Sequence, residues 1–598
     1  MMVNKVTHMR RIFISICLVP VLMGYGHLHA ENIRLAETVT IITAKDIEDR
    51  QPIALSDLLR EVYGLDVIRT GGFGQETSVF IRGAESQHTL VLIDGIKVNS
   101  PTTGGFDFAD ITVDNIERIE IIRGSLSALY GSDAIGGVIQ IFSKKAKMSS
   151  GTASFEAGSY STAKETLSTE VKQDSHDITL SVSRIDTQGF SATKSGSERD
   201  DFHNTSVSSN FGIARGATTS LDFSAHLTES KTGLDDVNKV DDPNYQQQRR
   251  LLLLGMSATS SVTNNWMHTL SLSISDDKLI HLDEVTPLNR DQFDSGIQTI
   301  NWQNQIRDEG NLITLGYEWQ RQKGEKEGVF SKIITNNALF LEDQRGVGTP
   351  VQYLIGIRWD DGSLYKSILT YRFGMSYIQS EGVRWHAQYG TGFHGATLND
   401  LFVPDDGSYA GNSDLKPEKS SGWEVGVEQT LSDSMSLSVN YYKNDFTDLI
   451  QWIPDSTGKS QPHNFGKANS KGFETDVTWH LSQIIRIDGN YTYDDTEDRV
   501  THTYLLRRPL NKYMVIVHLN PAGRGRLDVN LLHVGRRVDA GNMGLSAYSK
   551  MDLIGSYKIS KSMELFGRIE NLFDKEYEEA KGYNTAGFST YGGLKMTF

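Results

Sequence analysis

From Lys147 to its C-terminus the chain keeps a hydrophobic period of two, and no other feature restricts its fold as strongly. Ile178, Leu180 and Val182 alternate with Thr179, Ser181 and Ser183; Met435, Leu437, Val439 and Tyr441 alternate with Ser436, Ser438, Asn440 and Tyr442. Successive strand side chains point to opposite faces, so these segments predict a sheet with one apolar face. Clusters of Gly, Asn and Asp separate them, as turns require. In a membrane such a sheet must close, because an open edge leaves backbone groups without partners. Composition excludes a helical membrane protein: 38% of residues are hydrophobic, and after residue 23 no apolar run approaches the roughly 20 residues of a spanning helix. A barrel passes this test, since polar lumen-facing residues dilute its apolar ones.

Residues 1–30 read as a secretory signal, with Lys5, Arg10 and Arg11 before an apolar run from Ile12 to Met23 and Leu28 to Ala30 as the cleavage site. The mature chain is expected to start near Glu31. The single cysteine, Cys17, falls inside the signal, which excludes disulfides, Cys metal sites and Cys nucleophiles from the mature chain. The net charge of −16 argues against nucleic-acid binding. The chain has no GxSxG or HExxH motif, so no enzyme is expected.

One stretch ahead of this region carries a different signal. Glu117 to Ser143 reads ERIEIIRGSLSALYGSDAIGGVIQIFS: a charged apolar strand, a Gly-punctuated turn, and a second strand entered through Gly136 and Gly137. Paired glycines there predict close backbone approach or positive φ. Upstream, Val79 to Gly83 reads VFIRG and Leu90 to Gly95 reads LVLIDG. In order and spacing these three segments resemble the plug domain of TonB-dependent outer-membrane receptors. The departures are Ser125-Leu126, where Pro and a basic residue are common, and Gln140, where Asn is usual.

The resemblance implies a transmembrane β-barrel of about 22 antiparallel strands (residues 146–598) with an N-terminal α/β plug domain (31–145) in its lumen. About 450 barrel residues leave roughly 20 per strand and turn, which suits that strand count, itself adopted from plugged barrels of this size. It implies a Gram-negative outer-membrane location, contact with outer-membrane lipid, a monomer, and active uptake energised by a TonB-type inner-membrane partner through strand addition. The compact length, the two glycine-bearing plug loops and the ending from Tyr577 to Tyr591 are most similar to the cobalamin branch; ferric-siderophore receptors are the alternative. Asn571 to Lys575 (NLFDK), Gly395 to Leu401 and Gly411 to Glu418 match further segments of the family. Haem is disfavoured, because residues 396–411 contain no histidine; His394 just before them reads as a wall residue.

Within the plug, Val39 to Ile42 predicts a strand, Thr43 a helix cap, Pro52 a stop, and Ser56 the cap of a helix over Asp57 to Val62. Glu37, Thr38, Val39, Thr40 and Ile41 also resemble a TonB box, a possible TonB contact. One segment cannot comfortably serve as both box and strand, and the six residues 31–36 span only about 20 Å. The plug-strand reading is preferred. By analogy with cobalamin receptors, Phe73, Gln75, Asn99, Thr103 and Phe106 on the two plug loops are the ligand-binding candidates. Arg82, Asp94, Glu117, Glu120 and Arg123 would sit inside the barrel, where charges need partners, and are expected to lock plug to wall. The pairs Asp200-Asp201, Asp235-Asp236 and Asp241-Asp242 fall in two consecutive loops; flexible oxygen-rich groups of this kind suit Ca²⁺. No covalent cofactor is expected. Met596, Leu594 and Gly592 share a face that ends on the terminal aromatic Phe598, an expected assembly signal.

Overall fold

The computed structural model describes residues 37–216, 218–235, 241–283, 290–520 and 523–598. The signal read in residues 1–30 and the aspartate Asp236 lie outside the described residues.

The N-terminal part of the described chain builds a small α/β unit. Its elements are β1 (Val39–Thr43), α1 (Ala44–Arg50), α2 (Leu55–Arg60), β2 (Leu65–Arg69), β3 (Thr77–Ile81), β4 (Thr89–Ile93), β5 (Ile96–Lys97), β6 (Ile116–Arg123), α3 (Ser127–Tyr130) and β7 (Gly137–Ser143). One sheet runs in the order β1-β6-β7-β4-β5, with β4 and β7 parallel. β2 and β3 form a separate hairpin. The central strands are apolar on both faces because both are covered. Ile119, Ile121, Ile139 and Ile141 pack with Leu55, Leu58 and Leu59 of α2, while Ile122 and Val138 pack with Leu126 and Tyr130 around α3.

Thr43 caps α1 as its sequence predicts, its hydroxyl accepting from Asp46 N–H at 3.2 Å. α2 begins earlier than expected. Ala54 is its N-cap, Asp57 takes the Ala54 N–H at 3.2 Å, and Ser56 instead accepts from Arg69 at 2.6 Å. Gly136 and Gly137 serve close approach rather than positive φ: a Cβ on Gly137 would stand 2.5 Å from the Ile122 carbonyl oxygen, and one on Gly136 would stand 2.5 Å from the Ala84 Cβ.

Residues 150–598 close into a 22-stranded barrel. Its first strand, Ser150–Gly158, pairs antiparallel with its last, Ser589–Thr597. Gly151 and Phe598 complete the seam by exchanging backbone bonds of 2.7 and 2.9 Å. The rim beside Phe598 carries short turns such as Glu309-Gly310, Glu381-Gly382 and Asp433-Ser434; the opposite rim carries long connections, residues 188–201, 395–417, 499–510 and 571–588. Short turns mark the periplasmic end and long loops the outside. The alternation sorts as its period requires. Leu270, Leu272 and Ile274 are exposed outward, while Thr269 and Ser275 are buried against the lumen. Among the described residues no helix is long and apolar enough to cross a membrane.

Candidate functional site

The plug is held in the lumen by charge. Arg82, at φ +47° just after β3, sends Nε and Nη2 to the two oxygens of Glu474 at 2.9 and 2.7 Å, and Nη1 to Glu424. All three side chains are buried, and the guanidinium stacks 4.4 Å from the Tyr442 ring centre. Planar two-point pairing of this kind fixes geometry as much as it stabilises. Asp94 also reaches the wall, accepting from His226 at 2.8 Å.

The other three lock candidates do less. Arg123 donates to Thr40 Oγ1 (2.9 Å) and the Tyr63 carbonyl (2.7 Å) inside the plug, and its Nε stands 3.9 Å from Glu474. Glu120 takes Arg118 at 2.6 Å, and Glu117 pairs with Lys147 on the linker. Glu117 is corrected to a contact of the plug with its linker, and the Arg118 bond of Glu120 stays within β6, which runs between β1 and β7. The wall supplies partners that no motif announces: Arg372 for Glu37 at 2.6 Å, Arg249 for Asp110 at 3.3 Å, Glu318 for Lys97 at 2.9 Å, and Glu418 for His88 at 2.8 Å.

Wall cations also satisfy carbonyls where plug helices end. Arg568 donates to Gln51 O at 3.0 Å after α1, Lys512 to Val62 O at 3.4 Å after α2, and Arg358 to Leu129 O at 3.4 Å in α3. Helix C-termini leave carbonyls without intrahelical partners and carry partial negative charge, so a cation is the fitting neighbour.

Glu37 and Thr38 lie at the start of this lock, both buried. Val39, Thr40 and Ile41 are paired in β1 with Ile122, Ile121 and Glu120. In this conformation the segment that resembles a TonB box is the edge strand of the plug.

Toward the outside, the five ligand-binding candidates separate. Thr103 is exposed at a loop tip and Phe73 is half-buried, its ring 5.3 Å from the Arg69 guanidinium. The other three face inward. Asn99 spends its amide on Val91 N–H (2.8 Å), Thr89 O (2.9 Å) and Gly104 O (3.0 Å). Gln75 is tied to Gly233 O at 2.7 Å, and Phe106 is core, edge-on to Phe108 at 5.1 Å. Phe106 anchors its loop in the core and Gln75 ties its loop to the wall, whereas Asn99 braces its loop and also lines a cavity with Ser100, Tyr365 and His394. Two exposed aromatics on the outer rim escaped the sequence reading: Tyr409 and Trp452 meet edge to face at 6.1 Å, with Trp452 Nε1 held by Asp400 at 2.9 Å. Nothing in their sequence context separates them from the many aromatics of a barrel wall.

Beside the Phe73 loop, three carboxylates converge. Glu198, Asp200 and Asp235 place one oxygen each within 4.8 Å of one another. Asp200 accepts from Ala192 N–H (2.5 Å) and Asp235 from Thr193 N–H (3.0 Å), yet Glu198 Oε2 and Asp235 Oδ1 are buried without a donor. Burial and neighbouring carboxylates push the Asp200 carboxyl up to about 7; burial and the facing Asp235 push Glu198 up to about 7. Asp241 adjoins the trio, accepting from Ser197 N–H (2.5 Å) and Glu198 N–H (3.3 Å). Asp201 turns to His203 at 3.0 Å and Asp242 to Asn244 N–H at 3.1 Å, so neither belongs to the trio. Glu198 was missed because only directly adjacent Asp-Asp pairs were singled out, and Arg199 separates it from Asp200.

Two family models match this chain. The TonB-dependent Receptor Plug Domain covers residues 31–138, and "TonB dependent receptor-like, beta-barrel" covers residues 159–572. The chain is 29% identical over 575 residues to the vitamin B12 transporter BtuB of Photobacterium profundum, covering 94% of this chain and 92% of that protein. It is 26% identical to the vitamin B12 transporter BtuB of Vibrio vulnificus, covering 96% of each. Among solved structures, the siderophore receptor PirA from Acinetobacter baumannii superposes with TM-score 0.82 at 19% identity, over 95% of this chain and 99% of that one. A mutant of the ferric enterobactin receptor PfeA from Pseudomonas aeruginosa, in complex with enterobactin, gives 0.81 at 19%, over 94% and 100%. At such identity these structures share the fold alone.

Proposed function

Because this chain belongs to the TonB-dependent receptors of the outer membrane, we propose that the substrate it takes up is a cobalamin. The observation that carries this reading is its full-length likeness to two vitamin B12 transporters. Charge supports it. The outer loops expose acids, with Asp405, Asp406 and Asp414 in one and Asp574 and Glu576 in another. An overall neutral corrinoid meets no repulsion there, whereas a ferric catecholate, strongly anionic, would. Thr103, Tyr409 and Trp452, together with the half-buried Phe73, supply hydroxyl and aromatic surface for such a ligand.

The trio Glu198, Asp200 and Asp235, with Asp241 beside it, is the proposed calcium site. Its ligands are hard oxygens, and its buried oxygens without donors are the groups an ion would satisfy. A bound cation would tie the loop of Glu198 and Asp200 to that of Asp235 and stiffen the rim beside the Phe73 loop.

Growth of a cobalamin-requiring, receptor-deleted Gram-negative strain carrying this gene is the test, together with calorimetric titration of the purified protein. Growth at nanomolar cobalamin and saturable binding are expected. Binding of a ferric siderophore alongside none of cobalamin at micromolar concentration would assign the chain to siderophore uptake instead.

A further inference from the structure

The outward wall is not smooth. Across the strands from Phe202–Arg215 to Asn311–Lys326 a hollow of about 640 Å³ opens on the membrane side, far beyond the few tens of Å³ that a water or ion occupies. Phe211, Phe223, Leu254, Leu272, Ile300 and Trp319 wall it. The short side chains of Ser209 and Ala225, register partners on neighbouring strands, leave the space open. Register places Phe223, Leu254, Leu272 and Ile300 on the exposed face, so the hollow faces lipid and not the plug.

Polar groups begin at the groove's upper edge. Ile274 is paired with Gln298 and Gln298 with Arg321, and the only hydrogen bond of the Arg321 side chain among the described residues runs to Gln298 Oε1 at 3.4 Å. Arg321 has no ion-pair partner among them. Beyond it, toward the outer loops, stand Lys323, paired with Glu325 at 2.8 Å, Arg250, paired with Glu229 at 3.5 Å, and then Lys278, Asp276 and Asp294 on the same face. This mixed belt reaches about 13 Å along the strands from Arg321.

We propose that the groove and Arg321 hold one phosphorylated, multiply acylated glycolipid of the outer leaflet. An acyl chain fills the apolar hollow, and the phosphate meets the cation at its rim that the described wall leaves unneutralised. The acid-and-base belt above gives hydrogen-bond donors and acceptors to sugar hydroxyls. A glycerophospholipid head, ending near the phosphate, would leave that belt unused.

Native mass spectrometry of the full-length protein in detergent tests this with bis-phosphorylated lipid A, the same lipid dephosphorylated, and phosphatidylglycerol as probes. One lipid A is expected to bind per barrel, about tenfold or more tighter than either alternative. Arg321→Glu should erase that preference, whereas Ala225→Phe, filling the hollow, should weaken all acylated probes. Both variants point into lipid, and heat-modifiable gel mobility confirms that they fold. Equal binding of the dephosphorylated lipid or of phosphatidylglycerol would overturn the proposal, as would variants that bind lipid A like the wild type.

Discussion

Thr38 gives both its backbone N–H, at 3.0 Å, and its hydroxyl, at 3.1 Å, to the same oxygen of Glu424, the carboxylate whose other oxygen receives Arg82. The start of the plug's edge strand and its main charge lock therefore share one acid. Tension applied ahead of Glu37 loads the Glu37–Arg372 pair and then this acid. Replacing Arg82 with Ala leaves Glu424 and Glu474 buried without their shared cation, and the expected loss is about 3–5 kcal/mol of plug stability. Thermal unfolding followed by plug-specific proteolysis measures it; an unchanged transition would refute the role of the lock.

The edge strand itself should resist the energy-coupling partner. Glu37 to Ile41 is bonded along β6 and anchored by Arg372 and Glu424, so a TonB C-terminal domain is expected to bind weakly until the strand detaches. Glu37→Ala with Thr38→Val should raise the affinity, as should a standard box and flexible linker grafted ahead of Leu35. If neither change moves the affinity measured by calorimetry, the native segment already works as a box.

Calcium binding at the Glu198 trio should strengthen as pH rises through about 7. Without an ion, Glu198 and Asp200 hold their protons to about 7, above the roughly 4 of an unfolded chain. The folded apo state then binds more protons than the unfolded one across that window, so raising pH lowers its stability. Calcium competes with those protons and reverses the loss. Calorimetry from about pH 5.5 to 8 reads the effect, and Glu198→Ala should weaken binding about tenfold or more. Flat affinity across that range would remove the trio from consideration.

Loop residues that look alike in sequence should part company on substitution. Phe106→Ala empties a core position and is expected to cost about 3–5 kcal/mol, with substrate affinity lost only as the plug unfolds. Phe73→Ala should spare stability and weaken cobalamin binding directly. Matched losses of stability in both variants would contradict the division between core and mouth.

The seam predicts an assembly defect. A Cβ on Gly151 would stand 2.3 Å from the Phe598 ring, so Gly151→Val should displace that ring and, like Phe598→Asp, slow folding into the membrane. Heat-modifiable mobility in pulse–chase is the readout, and wild-type kinetics for both variants would dismiss the terminal aromatic as a signal.

The period of two along Ile178 to Val182 is enough to assign strands with one apolar face, because burial of one strand face is a local, alternating property; closure into a barrel follows only once that face is placed in a membrane. The run from Glu117 to Ser143 marks the plug through its resemblance to a family motif, and its paired glycines announce close packing, because a doubly covered strand leaves its print on consecutive residues. Which acid meets which base is not legible there. Arg82 finds Glu474 across 392 positions of sequence, while Glu120, equally charged and close to Arg123 in sequence, takes its bond from Arg118. The same holds for the aspartate pairs, where Glu198, set off from Asp200 by Arg199, joins the trio and Asp201 turns away from it. Side-chain direction at a loop and the partner of a buried charge depend on strands brought together only when the barrel closes, and that closure, a sum of many register choices, is a property of the tertiary structure.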